Sequence, residues 1–261
     1  MELKAFQDMI ELQETHWWYC ARRTILARLL EKFVPVGGRV LEVGAGTGSN
    51  LELLQKWGTV TALEPNRFAA DYLARNFSVK VLRAAVPASR ELDRERFDLI
   101  AALDVLEHIE EETAALDFMV RRLRPGGWLL ITVPAFAFLW STHDEALHHK
   151  RRYRMPELAR KLRYAGLAVI FQSYFNSLLF PLALATRLVD RLRPGTARSG
   201  AKRVPATANR ILRFAFELEA PLLQRFRLPF GLSIVLFARK PKQIPRPRAA
   251  GQPSVPMASP C

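Results

Sequence analysis

The chain has 261 residues, 49% of them hydrophobic, enough to bury a sizeable core and too many for global disorder. Its two cysteines, Cys20 and Cys261, lie far apart without C-x-x-C spacing. That argues against a disulfide framework, a cysteine-ligated zinc site or an iron–sulfur cluster, and no metal is expected. Residues 150–248 carry 22 of the 39 Lys and Arg against four acids, in a chain of net charge +14. Such a basic half suits an anionic partner, either membrane headgroups or nucleic acid; the alternative is an Arg-rich surface with no partner. Met1 to Ile10 contain Glu2, Lys4 and Asp8 and no apolar h-region. No signal peptide is therefore expected, and the reading places the chain in the cytoplasm.

In chain order, residues 1–36 read as an N-terminal helical cap, two helices around Glu14–Tyr19 with Ile25, Leu26, Leu29, Leu30 and Phe33 at helical spacing. Strands are expected at 40–43, 60–63, 79–82, 97–101 and 128–133. Helices lie between them, the one after Glu64-Pro65 capped by Asn66 and another at 111–123. A polar, His-rich loop (141–153), a helix (156–164) and a strand (167–171) follow. Strands alternating with helices, in near-continuous apolar runs, predict a doubly wound α/β fold, mostly parallel, over a core spanning 37–174. Residues 175–228 read as a helical insertion, 229–240 as the last strand, and 241–261, with six prolines, as a disordered tail.

The informative constellation is strand-Glu42-x-Gly44-Ala45-Gly46-x-Gly48-helix. Glycines let a cofactor approach the backbone, and the helix behind supplies unpaired N–H groups. Glu64, twenty residues after Gly44, ends the second strand, where a carboxylate can accept both hydroxyls of a ribose. A dinucleotide site is the competing reading, but its G-x-G-x-x-G spacing is not met. Glu42 also adds negative charge where phosphates would sit. S-adenosylmethionine carries no phosphate and has a cationic sulfonium and ammonium, so nearby acids suit it.

The segment Val40–Gly48, Phe97–Ile100 with Asp104-Val105-Leu106-Glu107-His108-Ile109, and Leu123-Arg124-Pro125-Gly126-Gly127 before an apolar strand resemble the motifs of class I, seven-β-strand methyltransferases. The resemblance covers roughly residues 38–172 and implies a seven-stranded Rossmann-like sheet, S-adenosylmethionine as cofactor, Glu64 on the ribose and Gly44–Gly48 along the methionine part. The acid that many relatives place after strand three is missing; Arg83-Ala84-Ala85 stands there.

Asp104 leaves the strand nearest the glycine loop and is a candidate cofactor contact; Glu107 and His108 either border the cofactor or cap a helix. Trp17-Trp18 with Arg22-Arg23 form either a lid, through cation–π attraction and a guanidinium fork, or core packing. His143 and His149 are candidate bases, because imidazole titrates near neutrality; the other reading makes their loop an anchor, with Arg151 and Arg152 paired to carboxylates. Two arginine-edged apolar helices, at about 177–192 (ending in Arg187, Arg191 and Arg193) and 206–226, suit the headgroup boundary of an anionic membrane. The 23 uncharged positions from Tyr164 to Thr186 are read as a strand and a helix rather than a membrane span. The expected acceptor is a small or lipid-linked molecule at the inner membrane face, with an RNA acceptor and a non-enzymatic membrane- or RNA-binding module as alternatives.

Overall fold

The computed structural model describes residues 3–87, 90–192 and 204–242. Two helices, α1 (Leu3–Leu12) and α2 (Trp17–Phe33), precede β1 (Gly38–Val43), α3 (Leu51–Gln55), β2 (Gly58–Leu63), α4 (Arg67–Asn76) and β3 (Lys80–Leu82). Next come β4 (Phe97–Leu103), α5 (Glu112–Arg122), β5 (Leu123–Pro134), α6 (Thr142–Ala146), α7 (Met155–Tyr164) and β6 (Ala168–Phe175). Helices α8 (Phe180–Leu192), α9 (Ala206–Glu217) and α10 (Glu219–Arg225) lead into β7 (Ser233–Arg239). The strands form one sheet in the order β3-β2-β1-β4-β5-β7-β6. Strands β1 to β5 pair in parallel, and β7 runs antiparallel to both β5 and β6. This is the expected seven-stranded, mostly parallel, doubly wound sheet.

The apolar runs follow from burial on two faces. Val40, Leu99, Ala101, Leu130, Val235 and Phe237 pack with α2, α3, α9 and α10, whereas Leu41, Ile100, Leu129, Ile131 and Leu236 pack with α5 and α7. Alternate residues point to opposite faces, so a strand covered on both sides is apolar throughout. Helix α2 belongs to this core, with Ile25, Leu26, Leu29 and Leu30 fully buried.

The insertion is placed by register. Phe175 at the end of β6 and Pro134 at the end of β5 both pair with Ser233, the first residue of β7. Helices α8–α10 therefore leave and rejoin the sheet at the C-terminal edge of the parallel strands, where open α/β sheets bind ligands.

Local differences from the sequence reading have physical causes. The single helix expected at 206–226 is two, broken at Leu218, with Glu219 opening the second. The fully buried Glu219 carboxylate accepts the N–H groups of Asn176, Ser177 and Leu178 at 2.7, 2.6 and 2.8 Å. The chain turns there, with Asn176 at φ 58°, and α8 starts at Phe180 rather than near Ser177. The loop expected at 141–153 contains α6, because Ser141 and Asp144 form a capping box. Strand five begins at Leu123 rather than Trp128, since Gly126 and Gly127 exchange backbone hydrogen bonds of 2.8 Å with Lys240. The tail from residue 243, all of Arg193 and the side chain of Arg191 lie outside the described residues.

Candidate functional site

The glycine loop is bound into the sheet edge by its backbone. Gly44 and Ala45 both donate to the Leu63 carbonyl, at 2.8 and 3.2 Å, and Gly48 donates to Ala45 at 2.9 Å. Gly44, Gly46 and Gly48 have φ of +66°, +56° and +87°, a region that costs other residues roughly 1–2 kcal/mol each. A Cβ on Gly44 would lie 2.7 Å from Val105, whereas one on Gly46 would meet only Met9 of α1, at 3.4 Å. The loop thus lies directly under the N-terminal helices.

Glu64, at the end of β2, is 5% exposed. Its Oε2 accepts the Gly46 N–H and its Oε1 the Asn66 N–H, both at 2.8 Å. Burial raises its pKa, and those two backbone donors oppose the rise. Glu42, on β1, is 1% exposed and accepts Asn50 Nδ2 at 3.0 Å through Oε1, while Oε2 has no partner among the described residues. Burial pushes its carboxyl up to about 7 against the Asn50 bond and the Arg22 charge. A buried carboxylate with an open acceptor is suited to receive a cationic or N–H-bearing ligand.

Arg22 reaches this region from α2, itself 3% exposed. Its Nη2 pairs with Asp104 Oδ2 at 2.6 Å and donates to Thr132 Oγ1 at 2.8 Å; Nη1 donates to Asn50 at 3.1 Å. Its guanidinium lies 5.0 Å from the Trp18 ring centre. Asp104 takes a left-handed backbone at φ 59° just past β4 and remains one-quarter exposed. Arg22 and Trp18 therefore border the glycine-loop edge, but the terminal guanidinium nitrogens are engaged by Asp104, Thr132 and Asn50. Arg23 points elsewhere, to the carbonyls of Gln13 and Ser49. Gln13 in turn accepts the Thr47 hydroxyl at 2.7 Å, fastening the cap to the loop.

A second cluster lies past β4 and β5. Lys150 N–H donates to the Glu107 carbonyl at 2.7 Å, which docks the His-rich segment on the turn after β4. Within it, buried Asp144 bonds His149 Nδ1 at 2.9 Å and takes Arg152 in a bidentate pair at 2.7 and 3.0 Å. Burial alone would raise the Asp144 carboxyl, but the His149 and Arg152 hydrogen bonds and the Arg152 charge hold it well below the usual range. The His149 ring lies 4.7 Å from that of His108 and 6.5 Å from that of His143. Burial lowers both His108 and His143 to about 4, so each is a neutral imidazole near pH 7. Glu107 is wholly buried, and neither of its carboxylate oxygens has a partner among the described residues.

The structure therefore brings the sequence-selected residues into two adjoining groups. Glu42, Gly44, Ala45, Gly46, Gly48, Glu64, Asp104, Trp18 and Arg22 gather around the glycine loop; His143 and His149 stand with Glu107 and His108. Sequence reasoning missed Asn50, Thr132 and Gln13, which no local motif marks, and gave Asp144 no role; Arg151 and Arg152, which the anchor reading pairs with carboxylates, meet Glu112 and Asp144. The capping spacing from Ser141 to Asp144 was the available signal for α6.

A family model described as a methyltransferase domain matches residues 16–177. The chain is 32% identical over 158 residues to a ubiquinone biosynthesis O-methyltransferase of Xylella fastidiosa strain 9a5c, covering 53% of this chain and 64% of that protein. It is 31% identical over 152 residues to the protein of the same name from Xanthomonas axonopodis pv. citri, again spanning 64% of that relative's length. A solved S-adenosylmethionine-dependent methyltransferase from Archaeoglobus fulgidus superposes with a TM-score of 0.55 at 17% identity, covering 84% of this chain and 94% of that one. The [4+2]-cyclase SpnF superposes equally well, with a TM-score of 0.55 at 20% identity over 84% of this chain and 80% of its own, so these likenesses speak for the fold alone. With the family match extending over more than half its length, the chain belongs to the methyltransferase-domain family.

Proposed function

We propose that the protein is an S-adenosylmethionine-dependent methyltransferase acting on a small, oxygen-bearing acceptor. The observation that carries this reading is the pair of buried carboxylates at the glycine loop, Glu42 and Glu64. Glu42 would set a negative charge beside a pyrophosphate, whereas Glu64 suits the ribose of either class of cofactor. Together the two acids suit a cofactor whose ribose offers hydroxyls and whose methionine end is cationic. In this reading Glu64 accepts the ribose, Glu42 and Asp104 face the cationic end, and Trp18 and Arg22 close the pocket from the cap. The Glu107–His108–His149–His143 cluster stands at the acceptor side. The reaction is an in-line displacement: the acceptor oxygen forms a bond to the methyl carbon while the carbon–sulfur bond breaks toward sulfur, leaving a neutral thioether. Orientation supplies much of the rate, and a hydroxyl acceptor must also give up its proton. Calorimetry should show binding of S-adenosylmethionine and of its demethylated product, and none of NAD. Tight NAD binding with neither of the others would overturn the reading.

A lipid-linked acceptor at an anionic membrane face is the finer form of this proposal. Its support is a stripe on α9 and α10, where Ile211, Phe214, Leu218, Leu222 and Phe226 are exposed while Phe216, Ala220 and Leu223 are buried toward α2. Exposed Arg210, Arg213, Arg225 and Arg227 edge it. No helix among the described residues is long and apolar enough to cross a membrane. The expected result is co-flotation with anionic liposomes that weakens with salt and is lost in an Ile211→Ser/Phe214→Ser double variant. A chain that stays behind at low salt rules out the membrane form and leaves the methyltransferase reading standing.

A further inference from the structure

We propose that Glu107, His108 and His149 form a binding site for a divalent transition-metal cation beside the acceptor. One potential ligand atom from each of these residues lies within 4.8 Å of the others. A carboxylate with two imidazoles is the donor set of catalytic zinc sites and of non-haem iron sites, both of which leave coordination positions open. Tetrahedral bonding at about 2.0–2.1 Å sets the donor atoms roughly 3.4 Å apart, so loading the site draws these side chains together.

Two independent observations favour a cation over a chance cluster. The Glu107 carboxylate is fully buried, and neither oxygen has a hydrogen-bond partner among the described residues. Buried oxygens without hydrogen-bond partners are costly whether or not the carboxyl is ionised, and a cation coordinated there would satisfy them. The second observation is outside the donor set. Asp144, itself fully buried and held by Arg152, takes His149 at Nδ1 and so leaves Nε2 as the coordinating nitrogen. A carboxylate behind an imidazole is the usual support of a metal-bound histidine. No contiguous motif announces the site, because Glu107 and His108 follow β4 whereas His149 follows α6. The backbone bond from Lys150 to Glu107 joins the two segments.

This site deepens the methyltransferase reading and rests on it for its role. A cation there would take the acceptor oxygen at an open position and favour its deprotonated form, the proton leaving to water before methyl transfer. The test is binding, measured on the full chain after chelator treatment. Titration with Zn²⁺ by calorimetry and with Co²⁺ by visible absorption should give one site per chain, the Co²⁺ spectrum carrying the bands of nitrogen and oxygen ligation. Glu107→Gln, His108→Ala and His149→Ala should each weaken binding about 100-fold, and Asp144→Asn by about 10–100-fold. His148→Ala should leave it unchanged, since His148 is exposed and outside the cluster. Circular dichroism excludes unfolding as the cause of any loss. No saturable binding at millimolar metal, or equal binding in all three ligand variants, overturns the site. Binding of S-adenosylmethionine in the absence of metal binding would refute the cation alone; metal binding without cofactor binding would refute the methyltransferase reading alone.

Discussion

A Gly46→Leu variant is expected to remain folded and to lose S-adenosylmethionine binding by at least about 100-fold, or about 2.7 kcal/mol. The fold survives because only the Met9 side chain lies near the new Cβ, and the backbone penalty at φ +56° is roughly 1–2 kcal/mol. Binding is lost because the leucine occupies the space between the loop and α1, and because a shifted loop no longer offers Gly46 N–H to Glu64. Gly44 is a poorer test, as its Cβ would strike Val105 and disturb the turn that carries Asp104. Calorimetry with the demethylated product, together with a thermal melt, separates the two effects. Unchanged affinity in a folded variant would show that the cofactor lies elsewhere.

Substitution of the acceptor-side histidines should affect turnover without the cofactor. His149→Ala is expected to lower kcat by about 100-fold while cofactor affinity stays constant, since the ring is held by Asp144 on the far side of β4 from the glycine loop. His143→Ala tests the neighbouring ring. Burial lowers the pKa of His143 to about 4, so it is a weak base near neutral pH and a smaller loss is expected. Full activity in both variants, measured by transfer of labelled methyl to the acceptor, would make the segment a structural anchor.

What could be read from the sequence was local in the chain. The strands were legible because double-sided burial writes continuous apolar runs, and Asn66 announced its helix by capping Ala69 N–H at 3.1 Å. The glycine loop and Glu64 were legible because their geometry is set within a few residues. The network Glu42–Asn50–Arg22–Asp104–Thr132 was not, since its members come from separate elements and meet only when α2 lies on the sheet. The break at Leu218 escaped notice for the same reason: Glu219 turns inward to satisfy a strand end more than forty residues earlier in the chain. His149 was selected for its chemistry, but its partner Asp144 and its neighbour Glu107 gain meaning only from their shared burial.

The family match begins at residue 16, immediately before α2 starts at Trp17, and leaves α1 outside. That boundary coincides with a mechanical one. Helix α2 is built into the hydrophobic centre and carries Arg22, so it is scaffold. Helix α1 buries only Phe6 and Leu12 and places Met9 above Gly46. The two helices of the cap thus differ in what a substitution costs: in α1 most positions change what lies above the loop with little loss of core, while in α2 the same change opens the hydrophobic centre.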